Sequence, residues 1–435
     1  MRKLIPFFIG ILFLISGFKL KAQDSLYFRQ TIAMLSSTDF HGRGYAFKGD
    51  SIAAHYISNE FKKFNLEKWT PDYYQPYFIN MNAFEGDALV YFGEKFPKPE
   101  LFENAQFMAY SCAMQGSFPI KSMKAKDIYS KKDISFKNQE QYFVLIDISR
   151  LDTKDSIQQL IYNKVLETSQ LNLLHVKGYI LVSKNLLPWR LAYGRIKANH
   201  VTVNVTKTCL PKNPKSVFIN VYSRYIENYQ TQNVCGYVKG KTYPDSFFVF
   251  VGHYDHLGQF GKKYTFYGAN DNASGTAFIM DLARYYSQPE NQPDYSIVFL
   301  AVSGEEIGLL GSTHYVENSF FPISNIKTVI NFDMVGTGEE GVTFVCGKAF
   351  PEEFKKFVTL NDTNHYLKKV VDREASNNSD HYPFYKNGAQ AFFIYGMGKS
   401  GRYHHTSDTL ENLTLGGYTG LFKLITDYVN LYHID

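Results

Sequence analysis

The 435-residue sequence has few cysteines, little net charge and no long apolar run after its first 22 residues. Its four cysteines are widely spaced and form no CxxC pair, which argues against a zinc–thiolate site. The formal net charge is +5, but four basic residues and no acidic residue fall within the first 22 positions, so the remainder is nearly neutral. A nearly neutral chain gives no electrostatic basis for binding nucleic acid. Beyond residue 22, no segment reaches the ~18 uninterrupted apolar residues that a membrane helix needs.

The amino-terminal segment is typical of a signal peptide. A basic start, "MRK", precedes the apolar run "LIPFFIGILFLISGF" and then "KLKA", with Ala22 as the expected last residue before cleavage. The alternative is a membrane anchor, which the shortness of the run disfavours. We therefore expect residues 1–22 to be removed and the protein to be exported, periplasmic or secreted, without stable membrane insertion.

Four continuous apolar runs predict buried strands in the second half of the chain, at 246–252, 295–304, 326–332 and 389–396. Helical patterns such as "NASGTAFIMDLARYY" lie between them. Strands that are buried on both faces and alternate with helices indicate a three-layer α/β/α fold with a mixed, largely parallel sheet.

The same reasoning divides the chain into parts. We expect 226–435 to form the main domain and 23–87 to supply its first part, which includes a helix capped by Asp50 or Ser51. Residues 88–225 have short apolar runs separated by lysine-rich and proline-containing loops, which indicate a smaller inserted α/β or mostly β module.

Histidines and carboxylates follow each predicted strand of the main domain: His253, Asp255, Asp271, Glu305, Glu306, Asp333, His404, His405 and Asp408. Side chains at the carboxyl ends of parallel strands gather at one edge of a sheet, so these residues can converge. Imidazole and carboxylate ligands suit zinc, and the absence of thiolate argues against a closed structural site. Two histidines and three carboxylates suffice for two ions, which a bridging carboxylate can hold around a shared water.

Adjacent Glu305 and Glu306 are the sharpest local feature of this set. Two buried neighbouring carboxylates repel each other and shift each other's pKa. The pair is understandable if one carboxylate binds a metal and the other accepts a proton from water. The alternative is a solvated pair in a surface loop.

Five motifs resemble those of the co-catalytic zinc exopeptidases, which include secreted bacterial aminopeptidases, glutamate carboxypeptidase and glutaminyl cyclases. The motifs are "GHYDHLG", "GANDNASG", "SGEEIGLLGS", "NFDMVG" and "YHHTSDT". The resemblance covers about 230–435 closely and extends to the helical region before residue 66. At 88–225 the sequence is weakly similar to a protease-associated insert.

The resemblance implies a role for each residue. One zinc ion would be bound by His253 and Asp333, and a second by Glu306 and His404. Asp271 would bridge the two ions, and the Asp271–Asn272 peptide bond would be cis. His405 is the alternative to His404, but only His404 lies four positions before the aspartate of "DT".

The remaining implied roles concern catalysis and substrate. Glu305 would be the general base, Asp255 would orient His253, and Tyr403 would donate a hydrogen bond to the developing oxyanion. Asp380, His381 and Arg402 are candidate contacts for the substrate, and a helix cap in a polar loop is the alternative for the first two.

The expected activity is removal of amino-terminal residues from peptides by a metallo-aminopeptidase with two zinc ions. The alternatives are a glutaminyl cyclase with one zinc ion, a carboxypeptidase, and a non-enzymatic binding protein on the same fold. The peptidase-like "GEEIGLLGS" favours hydrolysis over cyclisation. A carboxypeptidase needs a basic pocket, for which Arg402 is the one candidate.

Overall fold

A computed structural model describes residues 25–93, 98–130, 134–401 and 403–432. The predicted signal peptide and Arg402 lie outside the described residues. Across those four ranges, no helix combines the length and apolar character needed to cross a membrane. The cysteines Cys112, Cys209, Cys235 and Cys346 are all unpaired.

The strands, in chain order, are β1 (Tyr74–Ala83), β2 (Ala88–Tyr91), β3 (Ala105–Phe107), β4 (Met114–Met123), β5 (Phe143–Asp147), β6 (Gly178–Ser183), β7 (Val201–Thr206), β8 (Ser216–Val221), β9 (Arg224–Val238), β10 (Tyr243–His253), β11 (Gly258–Phe260), β12 (Tyr264–Phe266), β13 (Tyr295–Val302), β14 (Ile326–Phe332), β15 (Gly341–Val345), β16 (Val370–Asp372) and β17 (Ala391–Met397). The α-helices are α1 (Ser25–Leu35), α2 (Gly49–Lys63), α3 (Ala125–Ser130), α4 (Ser156–Leu171), α5 (Gly275–Tyr286), α6 (Leu310–Glu317), α7 (Pro351–Asn364), α8 (His381–Lys386) and α9 (Tyr418–Asn430).

The main sheet has the strand order β1-β9-β13-β10-β14-β17-β15-β16. Its four central strands, β13, β10, β14 and β17, are mutually parallel, whereas β9 and β15 run antiparallel to their inner neighbours. Alternate side chains of β10 enter different cores. Phe248 and Phe250 pack with α1, α2, α5, α7 and α9, and Val249 and Val251 pack with α6 and α8. The mixed α/β fold predicted from the sequence is therefore confirmed, with helices on both faces of the sheet.

A second sheet, in the order β2-β8-β4-β5-β6-β7-β3, lies within residues 88–221. One of its faces packs on α4 through residues such as Val144 and Val165. The other face shares a core with Phe260 and Phe266 of the β11–β12 hairpin, so the inserted module is packed on the main domain. Its identification as a protease-associated module stays a prediction.

The predicted capping role of Asp50 or Ser51 is wrong. Helix α2 begins at Gly49, with Lys48 at the cap position, and Asp50 lies within the first turn. Its carboxylate is fully buried and accepts hydrogen bonds from Tyr229 (2.6 Å) and Thr231 (2.9 Å). These hydroxyls of β9 thus hold the Asp50 carboxylate inside the protein.

Candidate metal centre

The residue predicted to bridge two metal ions lies in a turn between β12 and α5. Asp271 lies in this turn, and its peptide bond to Asn272 is cis, as the resemblance implies. The buried carboxylate of Asp408 accepts hydrogen bonds from the backbone nitrogens of Asn270 (2.9 Å) and Asp271 (3.0 Å). The aspartate of the "SDT" motif thus fixes the backbone of the proposed bridging residue.

The side chain of Asp271 faces two separate pairs of candidate ligands. Its Oδ1 lies 3.5 Å from His253 Nε2, which is also 3.5 Å from Asp333 Oδ1. Its Oδ2 lies 3.4 Å from His404 Nε2, which is 3.1 Å from Glu306 Oε2. The structure therefore brings together all five residues predicted as metal ligands, and each Asp271 oxygen belongs to a different pair.

The distances between these side-chain atoms suit ligands of a shared metal ion better than direct hydrogen bonds. Two ligands held at zinc–ligand distances of ~2.1 Å in tetrahedral geometry are about 3.4 Å apart, close to the observed separations. Asp333 Oδ1 and His404 Nε2 are buried and have no hydrogen-bond partner. Orphaned buried polar atoms are costly, and ligation by a divalent cation would satisfy both.

The structure distinguishes His404 from His405. Only His404 points its Nε2 at Asp271 and Glu306, while its Nδ1 lies 2.7 Å from the Trp189 carbonyl oxygen. His405 instead lies 3.0 Å from the Phe102 carbonyl oxygen and 3.3 Å from Glu103. The two imidazoles point to different partners, and the nitrogen of His404 is the one that is free for a metal.

His256 is a residue that the sequence analysis quoted but did not assign. It is fully buried, and its Nδ1 lies 2.7 Å from Glu306 Oε1 and 4.0 Å from Asp271 Oδ1. With these two carboxylates it forms a second possible ligand group. However, 2.7 Å is a hydrogen-bond distance and is shorter than the ~3.4 Å expected between two ligands of one ion. We therefore assign His256 as a donor that orients Glu306.

Asp255 contacts both His253 and the turn that carries the two glutamates. The Nδ1 of His253 lies 3.0 Å from the Asp255 backbone oxygen and 3.7 Å from its carboxylate. The carboxylate accepts a hydrogen bond from Tyr45 (2.8 Å) and longer contacts from the backbone nitrogens of Glu305 (3.3 Å) and Glu306 (3.4 Å). The Asp255 carbonyl thus orients His253, and its side chain holds the turn that carries both glutamates.

Glu305 lies among other acids. Burial, followed by repulsion from Glu306 and Asp380, raises its pKa, and nearby His253 acts against this shift. Asp380 is fully buried and accepts a hydrogen bond from Ser312 (2.5 Å). Burial also raises the pKa of Asp380. A carboxylate whose pKa is raised accepts a proton more readily than an ordinary carboxylate does.

The other predicted residues differ in their access to a substrate. Tyr403 is 56% exposed, and its ring stacks on that of His404 at 3.8 Å. Asp380 and His381 are completely buried, and their contact with substrate stays a prediction. Burial lowers the pKa of His381 to about 4, so it is neutral at pH 7.

Arg43 is a further residue that the sequence analysis missed. Its guanidinium is fully buried and donates to the backbone oxygens of Leu35, Tyr254, Tyr267, Gly268 and Asp271, at 2.7–3.3 Å. Burial lowers its pKa to about 10, although neighbouring carboxylates act against the shift, so it stays charged at neutral pH. Arg43 therefore holds the backbone of the turn that contains Asp271.

Comparisons with known proteins show which family and which relatives this chain resembles. Residues 233–429 match the model of peptidase family M28. Aminopeptidase YwaD of Bacillus subtilis (strain 168) is 31% identical over 198 residues, or 43% of this chain and 41% of YwaD. A probable zinc metalloprotease of Pyrenophora tritici-repentis is 40% identical over 113 residues, or 25% of this chain and 23% of that protein. The chain thus spans less than half the length of these curated relatives.

Solved structures show the same fold over almost the whole chain. An aminopeptidase from Aneurinibacillus sp. strain AM-1 has a TM-score of 0.66 at 19% identity, covering 94% of each chain. BSAP, a zinc aminopeptidase from Bacillus subtilis, has a TM-score of 0.67 at 19% identity, covering 93% of this chain and 94% of BSAP. The region that matches the M28 family model, residues 233–429, contains all five candidate metal ligands.

Proposed function

We propose that this protein is a zinc-dependent aminopeptidase with two zinc ions. The observation that carries the proposal is the placement of the two Asp271 oxygens, one toward His253 and Asp333 and the other toward His404 and Glu306. The named activities of YwaD and BSAP support peptide hydrolysis from the amino end.

When bound, the zinc pair would supply Lewis acidity and a water of lowered pKa. The chain's own residues supply the proton transfers. Glu305 would accept the water proton and later deliver it to the leaving amine, which its raised pKa favours. Tyr403 would donate to the developing oxyanion, and the half-exposed position of its ring leaves it reachable from solvent.

A cavity of about 390 Å³ provides room for a peptide beside the proposed ligands. Tyr403, His404 and His405 line it from the main domain, and Phe102 and Leu187 line it from the inserted module. We propose that the substrate chain lies in this cavity and that the metal-site carboxylates attract its free α-amine. Export through the predicted signal peptide remains part of the proposal.

The test uses a peptide that begins with a free Gln followed by Leu. Purified protein, supplied with zinc, is incubated with this peptide and with its N-acetylated form, and mass spectrometry identifies the products. Stepwise loss from the amino end of the free peptide alone is the expected result. Glu305→Gln protein prepared in parallel controls for contaminating peptidases.

Three other outcomes would reject the proposal in different ways. Loss of ammonia alone would identify a glutaminyl cyclase, and loss from the carboxyl end would identify a carboxypeptidase. Unchanged peptides, together with a defined zinc content, would favour a non-enzymatic binding protein.

A further inference from the structure

The inserted module contacts the loop that carries a proposed metal ligand. The Nδ1 of His404 lies 2.7 Å from the backbone oxygen of Trp189, which belongs to the module. A carbonyl oxygen only accepts hydrogen bonds, so Nδ1 must carry the proton. In neutral imidazole the lone pair is then on Nε2, the atom that faces Asp271 and Glu306. The contact thus selects the tautomer that can bind a metal.

The carbonyl of Trp189 is itself firmly placed. The indole ring is only 3% exposed and stacks on Phe266 of the main domain, with ring centres 5.3 Å apart and 6° between the planes. Its Nε1 donates to the Phe107 backbone oxygen at 2.7 Å. Phe102 packs edge-on against both Trp189 and Phe266. An aromatic cluster that joins the two parts of the protein therefore fixes the position of this carbonyl.

The inserted module also contacts the neighbouring histidine. His405 Nε2 lies 3.0 Å from the backbone oxygen of Phe102, so two module carbonyls contact two consecutive residues of the ligand loop. Removing the partner that orients a metal-bound histidine typically weakens metal binding by about 10- to 100-fold.

We propose that Trp189 is a positioning residue for His404, through which the inserted module sets the metal affinity of the Glu306–His404 position. This inference rests on the two-metal site of the proposed function. In this role the inserted module is a structural component of the metal centre, independently of any contact that the module makes with substrate.

The test measures zinc binding by equilibrium dialysis of the full chain at graded free zinc concentrations. Trp189→Ala removes the ring that anchors the carbonyl, and we expect about 10- to 100-fold weaker binding of one zinc equivalent, with the other unchanged. Val165→Ala is the matched control, because Val165 is a buried residue of α4 and packs on the sheet face away from Trp189. This control should destabilise the module but leave both zinc affinities unchanged.

A second pair of variants keeps the test decisive if Trp189→Ala does not fold. Phe266→Leu removes the stacking partner of Trp189 from the main-domain side and should weaken the same equivalent. In a His404→Ala background, Trp189→Ala or Phe266→Leu should cause no further loss, because the residue through which it acts is already absent.

Wild-type zinc affinity in folded Trp189→Ala or Phe266→Leu protein would overturn the inference, and so would an equal effect of Val165→Ala. The measurement uses no substrate. A protein with two zinc equivalents and no aminopeptidase activity would therefore reject the proposed function while leaving this inference open to its own test.

Discussion

Asp271 and His404 approach each other through Asp271 Oδ2 and His404 Nε2, which are 3.4 Å apart, and His404 Nε2 has no hydrogen-bond partner. The other Asp271 oxygen makes the equivalent approach to His253. One carboxylate thus contacts both pairs of candidate ligands, as the proposed two-metal site requires and as two unrelated buried ion pairs would not.

Asp271→Asn should disrupt this sharing. An amide nitrogen is no ligand for zinc, so at least one position loses a ligand. We expect zinc content to fall below two per chain and kcat/KM to fall at least about 100-fold, as measured by elemental analysis and peptide hydrolysis. Asp245→Asn is the control, because Asp245 is an exposed aspartate on the same strand as His253. Full zinc content in Asp271→Asn protein would contradict the bridging role.

Glu305→Gln should separate chemistry from metal binding. The substitution keeps the size of the side chain but removes its ability to accept a proton, so we expect kcat to fall by about 10²- to 10⁴-fold while zinc content stays at two. Glu340→Gln, which breaks only a surface ion pair with Lys368, should leave kcat unchanged. If Glu305→Gln protein instead bound less zinc, and its kcat per bound zinc ion equalled that of wild type, Glu305 would be a ligand and not the base.

Arg43→Lys should remove hydrogen bonds to the backbone around Asp271. A lysine has one nitrogen and cannot reach five carbonyl oxygens arranged around a planar fork, so some of them lose their buried partner. We expect the free energy of unfolding of the metal-free protein to fall by about 3 kcal/mol in urea. The exposed Arg29 provides the matched control, since Arg29→Lys should change it by less than about 0.5 kcal/mol. Equal free energies of unfolding for Arg43→Lys and Arg29→Lys would show that the Arg43 guanidinium is not needed for stability.

Asp50 should make stability depend on pH. Burial raises its pKa in the folded protein to about 6, above the ordinary 3.8. The Asp50 carboxyl therefore binds its proton more tightly in the folded state than in the unfolded state. The stabilisation of the folded state that results is fully present below about pH 4 and is lost as pH rises through 6.

Asp50→Asn removes that titration. Between pH 4 and 7, the free energy of unfolding of Asp50→Asn should rise relative to wild type by up to about 3 kcal/mol, the equivalent of the shift in pKa. Chemical unfolding of both proteins at several pH values gives this difference directly. A difference that stays constant over this range would mean that Asp50 is ionised in the folded protein at pH 4.

The sequence predicted the central strands because burial on both faces leaves an uninterrupted apolar run. Residues 326–332 coincide with β14, and 246–252 lie inside β10. The polar residues at the strand ends indicated where the site lies, and the family resemblance implied which five of them are the ligands. The contacts of Arg43 and Trp189 with the metal centre were not predictable, because these residues lie about 200 positions from their partners and their local patterns are ordinary.

His256 is an intermediate case. The stretch "HYDH" contains two histidines, but spacing alone does not show which one points to the open position. Only the distance of 2.7 Å from His256 Nδ1 to Glu306 Oε1 separates an orienting donor from a ligand. A similar argument separates His404 from His405, where backbone carbonyls from the inserted module decide the orientation.

The most direct test of the two-metal centre is anomalous diffraction at the zinc edge from crystals of the protein grown with zinc. We expect two peaks about 3.5–4 Å apart, one beside each oxygen of Asp271, with His404 on one peak and His253 on the other. A single peak, or a second peak ligated by His256 in place of His404, would contradict it.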